Sequence, residues 1–414
     1  MTTYVHAGTL LATPGREPLT RQTIAIDGGR IAGVTAGFTA PKSDDLVIDL
    51  SDCFVLPGLI DCHVHLTGEF GPKYKLDLVE ESPAQVALHA ARHARVTLEA
   101  GFTTVRDLGE IGAPGDAIFA LRNAVAKGFV PGPRIFAAGS IISPTGGHGV
   151  TCGYRDDINF LLDANGRGDG ADGCRVAVRR QVSRGADFIK FVATGGVLTD
   201  TATGTGQQFF DDEYAAIVGT ARMLGRKTTA HAHGADGMKA ALHAGVDSIE
   251  HGTFMDEEIV DIMRRRGTFY VPTTLAGVTV AEYATTQDFM PPAIREKALA
   301  VGPQIVETLR RGHDAGLKIA FGTDTAVSPH GENAREFALM VQAGMTPMEA
   351  IVAATVTAAE HIGQGAHIGA IEPGRAADII ATAASPLDDV SELRKVQFVM
   401  RDGKIFKDAR ARAV

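Results

Sequence analysis

The sequence predicts an α/β protein: a (β/α)8 TIM barrel over residues 57–369, carrying a small β-sandwich domain assembled from residues 1–56 and 370–414. Three observations point there. In the middle of the chain, eight short apolar runs alternate with longer segments of helical periodicity, the texture of repeated βα units around a parallel sheet. Both ends of the chain read instead as short strands broken by turn signals. No Gly-x-Gly-x-x-Gly turn opens the first βα unit, so a closed barrel is favoured over an open doubly wound sheet.

Taken in order, the N-terminal segments "YVHAGTLLATPG", "QTIAIDGGRIAGV" and "DLVIDLSDCFVLPG" are strand-like, and Asp27-Gly28-Gly29 reads as a hairpin turn. The eight predicted barrel strands lie in "LPGLIDCHVHL", "FTTVRDLG", "RIFAAGSIIS", "DFIKFVATGG", "KTTAHAHG", "SIEHGT", "FYVPTT" and "KIAFGTD". Helices are predicted over 83–99, 211–224, 238–244 and 292–315. The C-terminal end returns to strands in "ADIIATAASP" and "VQFVMRDGKIF", with a second Asp-Gly turn at Asp402 and Gly403.

The composition excludes several classes. Of 414 residues, 45% are hydrophobic and 21% charged, as in an ordinary globular protein with a sizeable core. A formal net charge of −9 without basic runs speaks against a nucleic-acid surface. Apolar runs are broken by Gly, Pro, Asp or Lys before reaching the roughly 18 to 20 residues of a membrane span, so a soluble protein is expected. The first residues lack a basic region followed by a long apolar run. That pattern fits a cytoplasmic protein, or a periplasmic or secreted one whose leader has been removed. Four cysteines make no disulfide scaffold. Cys152 and Cys174, which bracket a Gly- and Asp-rich segment, are either one bridge or two thiols, and Cys53 and Cys62 read as buried thiols.

Chemistry is expected at the C-terminal ends of the strands, which all open on one face of a barrel. His63 and His65 end the first strand two residues apart, so the alternation of a strand sends both to one side. Alone, such a pair is half a metal site or one packed and one exposed histidine. Lys190 interrupts the apolar fourth strand, and a lone buried ammonium is costly. It either snorkels from an edge strand or, as a neutral amine, adds CO2 to give a carbamate able to bridge two metals. His231 and His233 end the fifth strand and His251 the sixth. Asp324 closes the eighth, as a helix N-cap or as a ligand that also accepts a proton. Together His63, His65, Lys190, His231, His251 and Asp324 form a donor set suited to Zn2+ or a similar divalent ion.

With these residues in place, "VLPGLID", "DCHVHL", "AHAHG", "EHGT", "GTD" and "IGAIEPGRAADII" resemble, in order, the amidohydrolase superfamily over nearly the whole chain. Segments "GFTTVRDLG", "SPTGGHG" and "FIKFVATGG" are most similar to its metallo-carboxypeptidase and prolidase branch, which includes bacterial ochratoxin-hydrolysing amidohydrolases. The resemblance implies a more buried metal on His63 and His65, a second on His231 and His251, a bridging carbamylated Lys190, and Asp324 as ligand and general base. It implies a carboxypeptidase acting on N-acyl or peptidyl amino acids, with ochratoxin A hydrolysis to ochratoxin alpha and phenylalanine, and a homo-oligomer, often an octamer. His233 stands where relatives often have a tyrosine that polarises the scissile carbonyl. His148 and His330 are further candidates for contacting a small amide or dipeptide substrate, His330 alternatively ordering its loop. Rival readings are a prolidase, a lactonase or cyclic-amide hydrolase on the same site, a one-metal deaminase or imidazolonepropionase-like enzyme, which would dispense with Lys190, and a non-enzymatic scaffold, a kind of relative that usually loses ligands, whereas none is missing here.

Overall fold

A computed structural model describes residues 2–42, 44–110, 117–149, 154–163, 166–199 and 204–410. Its N-terminal strands are β1 (Thr3–Leu10), β2 (Leu19–Asp27), β3 (Arg30–Ala36) and β4 (Leu46–Pro57). The parallel strands of the middle are β5 (Leu59–Val64), β6 (Phe102–Asp107), β7 (Arg134–Ala137), β8 (Ile189–Val192), β9 (Thr228–Ala232), β10 (Ser248–His251), β11 (Phe269–Val271) and β12 (Lys318–Ile319). The C-terminal strands are β13 (Ile379–Thr382), β14 (Phe398–Arg401) and β15 (Lys404–Asp408). Each of the eight central segments read from the sequence holds one strand.

Both chain ends enter one sheet, in the order β15-β14-β13-β4-β1-β2-β3. Its two hairpins turn where the Asp-Gly signals stand: Gly28 and Gly29 have φ of 55° and 78°, Asp402 and Gly403 of 49° and 75°. Positive φ at both central residues matches the right-handed twist of the paired strands. The sheet folds over a single apolar core that includes Val5, Leu10, Ile24, Leu50, Ile379 and Phe398. Backbone bonds from Ile31 N to Arg375 O and from Ala377 N to Gly29 O, both 2.9 Å, tie the β2–β3 hairpin to the approach of β13. This arrangement is consistent with the expected sandwich.

The central strands form a three-stranded sheet, β5-β6-β7, and a five-stranded one, β12-β11-β10-β9-β8. Backbone hydrogen bonds pass between them at both pairs of edges. At one, Asp187 N donates to Ala137 O and Ile142 N to Lys190 O, each at 2.9 Å; at the other, Cys62 N donates to Phe321 O at 2.9 Å and His65 N to Thr325 O at 2.8 Å. Strands β5, β6, β8, β9, β10 and β11 are buried along their whole length, as parallel strands covered on both faces must be.

Four helices lie where periodicity placed them: Pro83–Glu99, Asp211–Met223, Ala235–Ala244 and Pro292–Asp314. The first starts with a capping box, Ser82 accepting from Gln85 N while Gln85 reaches back to the Ser82 N–H. The third begins ahead of the predicted 238 because Gly234 takes the extended N-cap conformation. No helix among the described residues is long and apolar enough to cross a membrane. Cys53, Cys62 and Cys174 are buried free thiols, and Cys152 lies outside the described residues.

Candidate metal centre

His63 and His65 project from the end of β5 to the same side. His63 Nδ1–H donates to Glu250 Oε2 at 2.8 Å and His65 Nδ1–H to Gly109 O at 2.7 Å, so both rings turn Nε2 into the cavity. There the two nitrogens lie 3.3 and 3.2 Å from Asp324 Oδ1. An imidazole whose far nitrogen is held by a carboxylate or a carbonyl is the usual pose of a metal ligand. Burial alone would raise the Asp324 carboxyl, yet His63 and His65 hold it well below the carboxylate range. Burial likewise opposes a charged His65, but Asp324 and Asp107 outweigh it and lift that imidazole above its ordinary value. The field at this point therefore favours positive charge.

A second group forms beside the first. Ligand atoms of His231, His233 and His251 all lie within 4.8 Å of one another, as do those of His63, His65 and Asp324. The His63 and His251 rings are 5.1 Å apart, which joins the two groups. His231 near the end of β9 and His233 just past it both line the cavity, and His251, at the end of β10 with a φ of 68°, reaches the same mouth. His251 Nδ1 is 2.6 Å from Thr273 Oγ1, whose own proton goes to Pro272 O, so the ring donates there and leaves Nε2 as a bare lone pair. His233 Nδ1 is 2.8 Å from Thr253 Oγ1, a hydroxyl with no other acceptor among the described residues. Thr253 can thus donate to the ring, leaving Nε2–H as a donor. His231 Nε2 is buried with no hydrogen-bond partner among the described residues. Burial first, then neighbouring imidazoles and Lys190, push His231 and His251 well down; burial and Lys190 push His233 down to about 4.

Lys190 lies on β8 at 2% exposure, with no hydrogen bond or ion pair to its amine among the described residues. Burial pushes it down to about 8. His148 lines the same cavity: its ring is 4.1 Å from that of His231, its Nδ1 meets Thr199 Oγ1, and burial pushes it down to about 3. His330 does not line the cavity. Its Nε2–H donates to Gly68 O at 2.9 Å and its ring stacks on His93 at 4.0 Å, so it orders the loop after β5 rather than facing a substrate. Glu69, His93 and His330 offer a third group of possible ligand atoms, in which His93 Nδ1 already meets Leu66 O at 2.9 Å and His330 Nε2 meets Gly68 O at 2.9 Å.

The cavity measures about 270 Å³. Beyond the imidazoles, its walls are largely aliphatic, with Val197, Leu198, Val280, Val301, Ile305 and Val327, and Phe70, Tyr74 and Tyr154 add aromatic surface.

Sequence reasoning missed Glu250 and Arg106. Both are fully enclosed in parallel strands, and Arg106 Nη2 donates to Glu250 Oε1 at 2.7 Å. Burial would raise the Glu250 carboxyl, but Arg106 and His63 hold it well below the usual range. The signal was present: two opposite charges inside otherwise apolar strands demand one another.

So many buried donor atoms around one point are satisfied together by a divalent cation, and with the family and relatives that follow they make the chain a metal-dependent hydrolase. It belongs to the amidohydrolase family, whose model matches residues 54–406. Among its relatives is the ochratoxinase of Aspergillus niger, 33% identical over 98% of this chain and 86% of that protein. A solved Xaa-Pro dipeptidase with methionine bound in its active site is 42% identical, with a TM-score of 0.93 over 98% of this chain and 100% of that one. A prolidase complexed with N-methylphosphonate-L-proline is 30% identical, with a TM-score of 0.89 over 99% and 100%.

Proposed function

We propose that the protein is a carboxypeptidase-like amide hydrolase that releases the C-terminal amino acid of N-acyl or peptidyl substrates, including ochratoxin A, which gives ochratoxin alpha and phenylalanine. One observation carries this reading: a single cavity is lined by both groups of ligand atoms, a buried lysine and a set of aliphatic side chains. Relatives named ochratoxinase, Xaa-Pro dipeptidase and prolidase support a substrate of this kind. In this reading the eight parallel strands act as one closed (β/α)8 barrel over 57–369, whose seams are the backbone bonds at the sheet edges.

His63, His65 and Asp324 would hold one zinc ion, and His231 and His251 a second; when bound, the ions supply Lewis-acid activation of water and of the amide carbonyl. Lys190 would join both as a carbamate. Its neutral amine, favoured by burial, forms an N–C bond to CO2 and loses a proton, which turns an unpaired cation into an anionic oxygen ligand. Asp324 takes the proton of the attacking water and returns it to the leaving nitrogen. His233, with Thr253 donating to Nδ1, presents Nε2–H to the developing oxyanion. His148 contacts the substrate, and the aliphatic walls take its apolar part. The working form is a homo-oligomer, up to an octamer, which light scattering checks.

The test is a panel of ochratoxin A, N-acetyl-phenylalanine, Xaa-Pro dipeptides and a lactone, each incubated with zinc-loaded and with chelator-stripped protein. Metal-dependent release of phenylalanine from the first two is expected. A preference for Xaa-Pro dipeptides, the reading that the 42% identical dipeptidase favours, would replace it. Activity confined to the lactone would remove the amide altogether.

A further inference from the structure

We infer that Glu250 is a positioning residue that makes the two halves of the metal centre unequal, giving a tight ion position at His63, His65 and Asp324 and a looser, separately exchanging one at His231 and His251. The inference rests on the two-ion reading above. Glu250 is fully buried beneath the cavity floor, and its two oxygens divide their work. Oε1 takes Arg106 Nη2 at 2.7 Å, Ser248 Oγ at 3.0 Å and the Thr229 hydroxyl. Oε2 is left to His63 Nδ1 at 2.8 Å. Ser248 Oγ also lies 2.8 Å from Thr229 Oγ1, so its one proton serves the Thr229–Glu250 pair; with Arg106 this holds Oε1 in place, and the other oxygen can hold the imidazole in one tautomer and one orientation. A full negative charge on the far nitrogen also makes Nε2 the stronger electron donor.

Nothing equivalent backs the other half. The acceptor behind His251 is the neutral Thr273 hydroxyl at 2.6 Å. No carboxylate hydrogen-bonds to His231 or His251 among the described residues. The ion that Asp324 and a carboxylate-backed His63 hold should therefore load first and leave last, and the enzyme should pass through a one-ion form as free metal falls.

The experiment titrates zinc into the metal-free full chain against a competing chelator, counts bound ions by mass spectrometry, and repeats the titration with cobalt(II), whose visible absorption reports each ligand field. The wild type is expected to bind in two separated steps. Glu250→Gln is expected to weaken the tight step about 10- to 100-fold and leave the looser step in place. Because this change strands Arg106, the double variant Glu250→Gln with Arg106→Met removes both charges, and thermal melting confirms that it folds. A folded double variant that keeps the tight step, or a wild type whose two steps coincide, overturns the inference and leaves the proposed function standing. A wild type that binds no divalent ion overturns both.

Discussion

Asp324 and His251 are held at φ of 57° and 68°, in the left-handed region that side chains other than glycine rarely enter. Such strain, about 1–3 kcal/mol per residue, persists only where neighbours over-determine it. Here both side chains line the cavity as candidate ligands. Asp324→Asn keeps the shape of the side chain but removes its ability to accept a proton. With the ions loaded, turnover is expected to fall about 10²- to 10⁴-fold, with an unchanged melting curve; a rate within a few-fold of wild type would take the base role from Asp324. His148, pushed down to about 3 by burial, is neutral in the folded chain. In the unfolded chain it ionises near its ordinary 6.5. Below pH 6.5 the unfolded state therefore binds more protons, and this group costs stability progressively down to about pH 3. In metal-free protein, His148→Gln should make the fall of unfolding free energy with acid shallower by up to about 1.4 kcal/mol per pH unit, measured by urea melts between pH 6.5 and 4.5. His63, His65, His231, His251 and Asp324 were legible because each lies at or just past the end of an apolar run, and Lys190 because it is a charge inside one; all six line the cavity. The roles of Glu250, Thr253 and Thr273 were not, because which ring nitrogen is held depends on neighbours contributed by other strands.

Short elements with sharp boundaries were the most readable in sequence, and those that tertiary contacts stabilise were the least. Eight apolar runs between turn residues announced the central strands, and two Asp-Gly signals announced the hairpins. The helix Thr274–Thr286 carries β-branched residues at Thr274, Val278, Thr279 and Val280, which lower intrinsic helix propensity. It forms because it buries Leu275, Ala276 and Val280 and because Glu336 accepts from the Thr274 and Leu275 N–H groups. Neither partner is near in sequence. The hairpin glycines give an element-scale prediction. A Cβ at Gly29 would stand 2.6 Å from Asp402 O, on a backbone at φ 78°. Gly29→Ala should cost about 1–3 kcal/mol in denaturant melts while leaving kcat per folded molecule unchanged, since the turn belongs to the terminal sheet and not to the cavity. A loss of kcat with unaltered stability would mean that the sheet steers the site.

On the scale of the whole molecule, the candidate ligands come from β5, β8, β9, β10 and the segment after β12, so they draw on both central sheets. Ions bound there would bind the folded chain and not the unfolded one. Stripping them should lower the melting temperature, and restoring zinc at 100 to 1,000 times its Kd should return about 2.7 to 4.1 kcal/mol. Differential scanning calorimetry with and without zinc reads this directly, and superimposable curves would argue against a site that joins the two sheets. The terminal sheet has a consequence for how the chain is made. Strand β4 pairs on one side with β1 and on the other with β13, in register from Pro57 against Ile379. During synthesis that second partner leaves the ribosome only after all eight central strands have been translated. Until then β4 offers a row of unpaired amides, the kind of edge on which nascent chains associate. Folding yield should accordingly be sensitive to the interval between synthesis of β4 and of β13, during which a chaperone that covers the edge of β4 would raise the yield of folded chain.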